Sequence, residues 1–142
     1  MTSLCTPYNA STMTTTDLPS LVVLSETLAV CRLPVDAAVP NWAWSGGLTS
    51  ITSTDDELSL VCEADAVPDD VTHTGGWRAL KVRGPLDFGL VGILAGISRV
   101  LADAAISIFA ISTYETDYIL MREAQLDRAI DALKAAGYSI SG

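Results

Sequence analysis

The chain has 142 residues, of which 49% are hydrophobic and 18% charged. A chain of this length and composition folds as one domain of ordinary size or as two very small units that share a core, and it is not disordered. Its 17 Asp and Glu residues outnumber its 8 Lys and Arg residues, and the net charge of −9 repels nucleic-acid phosphates and anionic lipid surfaces. Composition therefore argues against nucleic-acid and membrane partners.

The beginning of the chain carries no sign of regular structure. Residues 1–17 are rich in Thr and Ser and lack the basic start and apolar core of a secretion signal, so we expect a flexible tail. Residues 1–12 could also be an extension upstream of a start at Met13. The uncharged stretch 37–54 contains proline and glycines and cannot span a bilayer.

Residues 18–76 alternate between strand-like and turn-like segments. The run LAVCRL, at Leu28–Leu33, predicts a strand that ends at a proline, and the segment 34–47 is too short and broken for a long helix. Two further runs, 48–52 and Leu58–Glu63, predict a hairpin. Residues 68–76 are then expected to form a loop.

From residue 77 the periodicity is clearer. Residues 77–84 alternate as a strand does, and apolar residues from Leu90 onward recur at a spacing of three and four, which predicts a helix. Asp87 occupies an N-cap position, so the first free amides of this helix are expected within residues 88–92.

The remaining elements complete a second hairpin, a second helix and a last strand. Hydrophobic and β-branched residues predict strands at 106–113 and 116–121, and a strand at 138–140. Apolar residues from Leu126 to Leu133 predict a helix. Gly137 suits the left-handed conformation that commonly follows the end of a helix. The order from Trp77 is βαββαβ, which is the ferredoxin-like α+β pattern, with antiparallel sheets and both helices on one face.

The two predicted hairpins resemble each other. Residues 51–61 match residues 111–121 at a constant separation of 60 residues. For example, Ile51 aligns with Ile111. Generic hairpin patterning is one explanation, and two related units are the other. On the second interpretation, a shortened unit spans residues 18–76 and a complete unit spans 77–142.

One stretch of the second unit carries a family resemblance. The segment ISIFAISTYETDYILMREAQLDRAIDAL, with LDFGLVGILAGISRVLADA before it, resembles an ACT domain. The strongest match is STYETDYILMREAQL, and the branch resembled includes aspartate-kinase regulatory domains and half of the animal cytosolic arginine sensor. The resemblance covers residues 77–140 well and 28–72 more weakly, as a degenerate ACT-like unit.

The resemblance implies a regulatory module that binds a small molecule, commonly an amino acid, between two ACT domains. Its ligand contacts come from the loop before the first helix and from the following hairpin. The matching ligand-binding positions here are Asp87, Gly89, Leu90, Val91, Gly92, Thr113, Tyr114 and Asp117. A homodimer is also implied, because neighbouring subunits usually cover the sheet edge and helix face of ACT domains.

The same positions suit a dipolar ligand on physical grounds. A helix start offers unpaired N–H groups and a partial positive charge, which bind an α-carboxylate. Gly89 and Gly92 let a ligand approach the backbone, and Asp117 can accept an ammonium or guanidinium group. The plainer alternatives are that Asp117 solubilises a hairpin tip and that Tyr114 packs on a neighbouring subunit.

The sequence gives little support for catalysis or metal binding. His73 is the only histidine, so a catalytic triad would depend on it alone. Cys5, Cys31 and Cys62 form no CxxC pair, and they favour free thiols in a reducing compartment over a zinc site. We therefore predict a cytoplasmic amino-acid-binding regulator with no catalytic activity, metal or cofactor. The alternative is a ligand-free adaptor that dimerises or docks on a partner enzyme.

Overall fold

The computed structural model describes residues 18–84 and 91–142. These residues form one sheet of eight strands with two helices and three short 3₁₀ turns. The strands are β1 (Leu21–Val23), β2 (Leu28–Leu33), β3 (Ser50–Ser53), β4 (Leu58–Glu63), β5 (Thr72–Val82), β6 (Ile108–Ser112), β7 (Asp117–Arg122) and β8 (Ile140–Ser141). The helices are α1 (Ile93–Asp103) and α2 (Leu126–Ala135), and the 3₁₀ turns are Asn41–Trp44, Ala64–Ala66 and Glu123–Gln125.

The second half of the chain has the predicted βαββαβ order, from β5 to β8, which confirms the ferredoxin-like α+β fold. Strand β7 pairs antiparallel with both β5 and β6. Both helices share one hydrophobic core with one face of the sheet, because α1 contributes Ile97 and Leu101 and α2 contributes Leu133 to the cluster that contains Leu80 and Ile119.

The sheet is mixed rather than purely antiparallel, because it contains a strand that the sequence did not predict. Strand β1 pairs antiparallel with β5 and parallel with β8, so it lies between the first and last strands of the second unit. The Leu21 N–H donates to the carbonyl of Ser139 at 2.8 Å, and the Leu24 N–H donates to that of Ala79 at 2.9 Å. Leu21 is fully buried in the core beneath the helices.

Strand β5 is longer than predicted and connects both halves of the sheet. The predicted loop over 68–76 is wrong from Thr72 onward, because residues 72–76 continue the strand and the register against β2 shifts between Leu28 and Val30. The two glycines that suggested a loop, Gly75 and Gly76, lie in this bulge, and Gly76 has a φ of 78°. Strand β5 therefore crosses the predicted boundary between residues 76 and 77.

The first half of the chain builds its core without an α-helix in its described residues. Strand β4 pairs antiparallel with β2 and β3, and a second hydrophobic cluster lies on one face of these strands. The 3₁₀ turn Asn41–Trp44 supplies Ala43 and Trp42 to that cluster. The turn therefore covers apolar surface in the segment where the sequence predicted no long helix.

Several predicted boundaries move by a few residues, and one change affects the candidate site. Helix α1 begins at Ile93, not within residues 88–92, and its N-cap is Gly92 rather than Asp87. Gly92 has a φ of 88°, a left-handed conformation that favours glycine. The strands predicted at 48–52, 77–84, 106–113, 116–121 and 138–140 are observed at 50–53, 72–82, 108–112, 117–122 and 140–141.

Candidate functional site

The hairpin between β6 and β7 closes with a tight turn that threonine side chains hold in place. The Thr113 N–H donates to the Thr116 carbonyl at 2.8 Å, and the Thr113 hydroxyl donates to the same oxygen at 3.1 Å. The Thr116 N–H donates back to Thr113 Oγ1 at 3.3 Å. Tyr114 lies at the tip of this turn, with 83% of its surface exposed.

Asp117 is the first residue of β7, one residue after the predicted start of that strand, and it faces Ser112 across the hairpin. The Ser112 hydroxyl donates to Asp117 Oδ1 at 2.6 Å. Asp117 is half-buried, and this bond orients its carboxylate. A carboxylate oriented in this way can accept a further N–H donor from a ligand.

One hydrogen bond ties the hairpin to the central strand. Thr116 is only 5% exposed, and its hydroxyl donates to the carbonyl of Val82 at 2.5 Å. Val82 is the last residue of β5, and Lys81 pairs with Tyr118 in the register between β5 and β7. The hairpin turn therefore lies beside the end of β5.

The first turn of α1 packs on the core beneath the sheet. Ile93 and Leu94 pack against the core cluster that contains Val82. The Gly96 N–H is bonded to the Gly92 carbonyl at 2.8 Å, so the amides before residue 96 have no carbonyl partner within the helix. Val91, just before Gly92, is 71% exposed.

The structure describes five of the eight predicted site positions. Thr113, Tyr114 and Asp117 lie on the hairpin, and Val91 and Gly92 precede the helix. The other three predicted positions, Asp87, Gly89 and Leu90, lie outside the described residues. Two residues that hold this arrangement, Ser112 and Thr116, were missed by the sequence analysis. The pairing of Ser112 with Asp117 follows from hairpin register, but no local pattern indicates the bond from Thr116 to Val82.

The residues considered for other chemistry lie elsewhere. His73 is exposed on β5, with its Nδ1 2.6 Å from the Val71 carbonyl oxygen. Cys31 and Cys62 are buried free thiols. Within residues 18–84 and 91–142, no three His, Cys, Asp or Glu side chains are grouped so that they could hold a metal ion. In the same part of the chain, neither helix has the length and apolar character needed to cross a membrane.

Comparison with protein families identifies two segments. A family model described as ACT domain matches residues 72–135, and a model of an N-terminal domain matches residues 26–70. The cytosolic arginine sensor for mTORC1 subunit 1 of Rattus norvegicus is 32% identical over 143 residues. That alignment covers 90% of this chain and 43% of the sensor, so the chain spans less than half the length of this relative.

Solved structures share the fold of this chain. A crystal structure of a protein from Agrobacterium tumefaciens is 38% identical, with a TM-score of 0.83, over 88% of this chain and 94% of that one. The regulatory subunit of aspartate kinase from Thermus thermophilus has the same fold at 9% identity, with a TM-score of 0.56, over 84% of this chain and 98% of that one. The chain belongs to the ACT domain family.

Proposed function

We propose that the protein is a regulator, without catalytic activity of its own, that binds a free amino acid between the β6–β7 turn and the beginning of α1. The observation that carries this proposal is the hydrogen bond from Thr116 to the Val82 carbonyl. It holds the hairpin, and Asp117 with it, against the strand that leads toward the helix. The rat relative, which is named an arginine sensor, supports the same class of ligand.

Each end of the site would recognise a different part of the ligand. The first amides of α1, together with Val91, Gly92 and the predicted positions Asp87, Gly89 and Leu90, would receive the α-carboxylate. Asp117 would accept an ammonium or guanidinium group, and Thr113 and Tyr114 would line the hairpin side. A basic amino acid satisfies both ends, so arginine and lysine are the first ligands to test.

A homodimer is part of the proposal. Within the described residues, β6 pairs with β7 alone, so its other edge is open to a second chain. Its sequence, IFAIS, contains none of the charged residues or prolines that protect exposed strand edges. A ligand that binds one assembly more tightly than another would change the association of the protein, which is how a regulator reports its ligand.

We also infer that the protein acts in the cytoplasm. Cys31 and Cys62 are free thiols, which persist in reducing compartments. The rat relative is named a cytosolic protein. Fluorescence microscopy of the tagged protein in its native cell tests this location, and an extracellular signal would contradict it.

The ligand proposal is tested by thermal unfolding in the presence of each of the twenty amino acids. A ligand at one hundred times its dissociation constant stabilises the folded state by about 2.7 kcal/mol, which raises the midpoint by several degrees in a protein of this size. Light scattering with and without the active amino acid then measures association. If none of the twenty changes the midpoint, the protein is instead the ligand-free adaptor.

The role of Asp117 has its own test. Asp117→Ala should abolish the thermal shift produced by a basic amino acid, because it removes the carboxylate that receives the cation. The midpoint without ligand should change little, since the residue is only half-buried. The matched control is Asp127→Ala, which removes an exposed carboxylate from α2 and should leave the shift intact. A full shift with Asp117→Ala would rule out this role.

A further inference from the structure

A small cleft opens where β1 begins and β5 ends. It has a volume of about 250 Å³ and is lined by Ser20, Arg83, Ser139, Ile140 and Ser141. Clefts that bind drug-sized molecules have volumes of about 300–1,000 Å³, so this one has room for a smaller group. Four of its five lining residues carry hydrogen-bond donors in their side chains, and none of the five is acidic.

The pairing of three strands fixes the positions of these residues. Leu21 of β1 pairs with Val82 of β5 on one side and with Ile140 of β8 on the other. One residue beyond this row, the Arg83 N–H donates to the Ser20 carbonyl at 2.8 Å. Because Leu21 and Val82 are buried in the core beneath the helices, the alternation of side chains directs Ser20 and Arg83 to the opposite face of the sheet.

Arg83 supplies the positive charge of the cleft. Its Nη2 donates to the Ser141 hydroxyl at 3.3 Å, which directs the guanidinium toward β8. A guanidinium has five N–H donors, so others remain for a ligand. Within residues 18–84 and 91–142, neither of the two ion pairs involves Arg83, so no carboxylate of those residues neutralises its charge.

A second cation lies on the same face of the sheet. Lys81 precedes Arg83 by two residues, so the two side chains project in the same direction. Lys81 pairs with Val22, which pairs in turn with Ser141. The net charge of −9 does not prevent an anion from binding here, because exposed charges more than about 8 Å apart are largely screened at physiological ionic strength. The groups that line the cleft therefore decide which charge it attracts.

We propose that this cleft binds the phosphate group of a small phosphate monoester. The Arg83 guanidinium would donate two parallel N–H bonds to two phosphate oxygens, and the hydroxyls of Ser20, Ser139 and Ser141 would donate to the oxygens that remain. A phosphate group presents its oxygens as a tetrahedron, whereas a carboxylate presents two in a plane. Donors that come from three strands therefore suit the phosphate, and Ile140 provides apolar surface for the carbon atoms of the ester.

The cleft is separate from the amino-acid site proposed above. The peptide group that joins Val82 to Arg83 points its carbonyl at Thr116 and its N–H at Ser20. Because the carbonyl and the N–H of a trans peptide point in opposite directions, the β6–β7 turn and the cleft lie on opposite sides of β5. The phosphate proposal therefore does not depend on the amino-acid proposal.

Methyl phosphate, inorganic phosphate and acetate are the probes that test the proposal. In ¹⁵N-correlated NMR spectra of the full chain, methyl phosphate should shift the amides of Ser20, Arg83 and Ser141 in a saturable manner, and inorganic phosphate should shift the same amides. Acetate should bind there at least tenfold more weakly. Acetate binding as tightly as methyl phosphate, a saturable shift with inorganic phosphate alone, or no saturable shift at all would overturn the proposal.

Substitutions then assign the donors. Arg83→Gln should weaken methyl phosphate binding at least tenfold, and Ser139→Ala should weaken it about threefold or more, because each removes hydrogen bonds to a charged group. Both replace exposed side chains, so the fold is retained. The matched controls are Arg99→Gln and Ser53→Ala, which make the same changes at exposed positions of α1 and β3 and should leave binding unchanged. Equal effects in a cleft variant and its control would contradict the proposal.

Variants also distinguish this cleft from the amino-acid site. Asp117→Ala should leave the shifts caused by methyl phosphate intact, and Arg83→Gln should leave the thermal shift caused by a basic amino acid intact. Loss of the methyl phosphate shifts in Asp117→Ala would show that they report binding at the amino-acid site, and would overturn the phosphate cleft alone.

Discussion

At the scale of single residues, burial decides the chemistry of two thiols. Cys31 and Cys62 are 1% and 0% exposed, and they lie in the same hydrophobic cluster on the neighbouring strands β2 and β4. Removal of water from the thiolate, together with the nearby Cys62 thiol, raises the pKa of Cys31 to about 12. Burial also raises the pKa of Cys62. At neutral pH these residues are therefore uncharged hydrophobic groups, and they are the free thiols that the sequence analysis expected.

The raised pKa predicts a loss of stability in alkaline solution. Between about pH 9 and about pH 12, the unfolded chain releases the Cys31 proton that the folded chain keeps, so the free energy of unfolding should fall as the pH rises. Below pH 9 both states keep the proton, and this residue contributes no pH dependence. The slope from one thiol approaches about 1.4 kcal/mol per pH unit.

Urea unfolding between about pH 8 and pH 11 measures this slope. In Cys31→Ala the slope should be shallower by up to about 1.4 kcal/mol per pH unit, because all other titratable groups are the same in the two proteins. Equal slopes for the two proteins would contradict the prediction.

At the scale of elements, both helices end in the same backbone motif with different residues. After α2, Gly137 has a φ of 103°, and the Tyr138 N–H donates to the Leu133 carbonyl at 3.0 Å. After α1, Ala105 has a φ of 60°, and the Ile106 N–H donates to the Leu101 carbonyl at 2.9 Å. The left-handed position costs alanine about 1–2 kcal/mol but costs glycine little.

Exchanging these residues should change stability in opposite directions. Ala105→Gly relieves the left-handed strain and should raise the free energy of unfolding by up to about 1 kcal/mol, because greater freedom of glycine in the unfolded chain offsets part of the gain. Gly137→Ala should lower it by about 1–2 kcal/mol. Urea titration of the two variants measures both changes, and two changes of the same sign would contradict the interpretation.

At the scale of the whole molecule, β5 joins the two halves of the sheet. It pairs with β2 of the first half, with β7 of the second, and with the inserted strand β1. Leu80 belongs to the core beneath the helices, and Ala79 belongs to a third cluster that joins Leu28 of the first half to Leu120 of the second, so loss of β5 would expose apolar surface in both halves. The two halves should therefore unfold together.

This coupling predicts one unfolding transition for the described sheet. NMR signals of β4 and of α2 should disappear with the same urea midpoint, as expected of a two-state domain. Leu80→Ala, at a fully buried position, should destabilise both halves equally, by about 2–5 kcal/mol. Separate midpoints for β4 and α2 would show that the halves are independent.

The sequence by itself determined the elements whose signal is local. Helical periodicity identified α1 and α2, alternation and turn residues identified both hairpins, and Gly137 marked a helix end. The ACT resemblance followed from one continuous segment, so it too was available without coordinates. Asp117 was correctly placed at the start of its strand for the same reason.

Only the tertiary structure decided the features that depend on distant partners. Strand β1 has three residues, too few for a pattern, and it is defined by its hydrogen bonds to β5 and β8. The extension of β5 through two glycines required β2 beside it. The bond from Thr116 to Val82 joins residues that are 34 positions apart in the chain, and no local sequence pattern indicates such a contact.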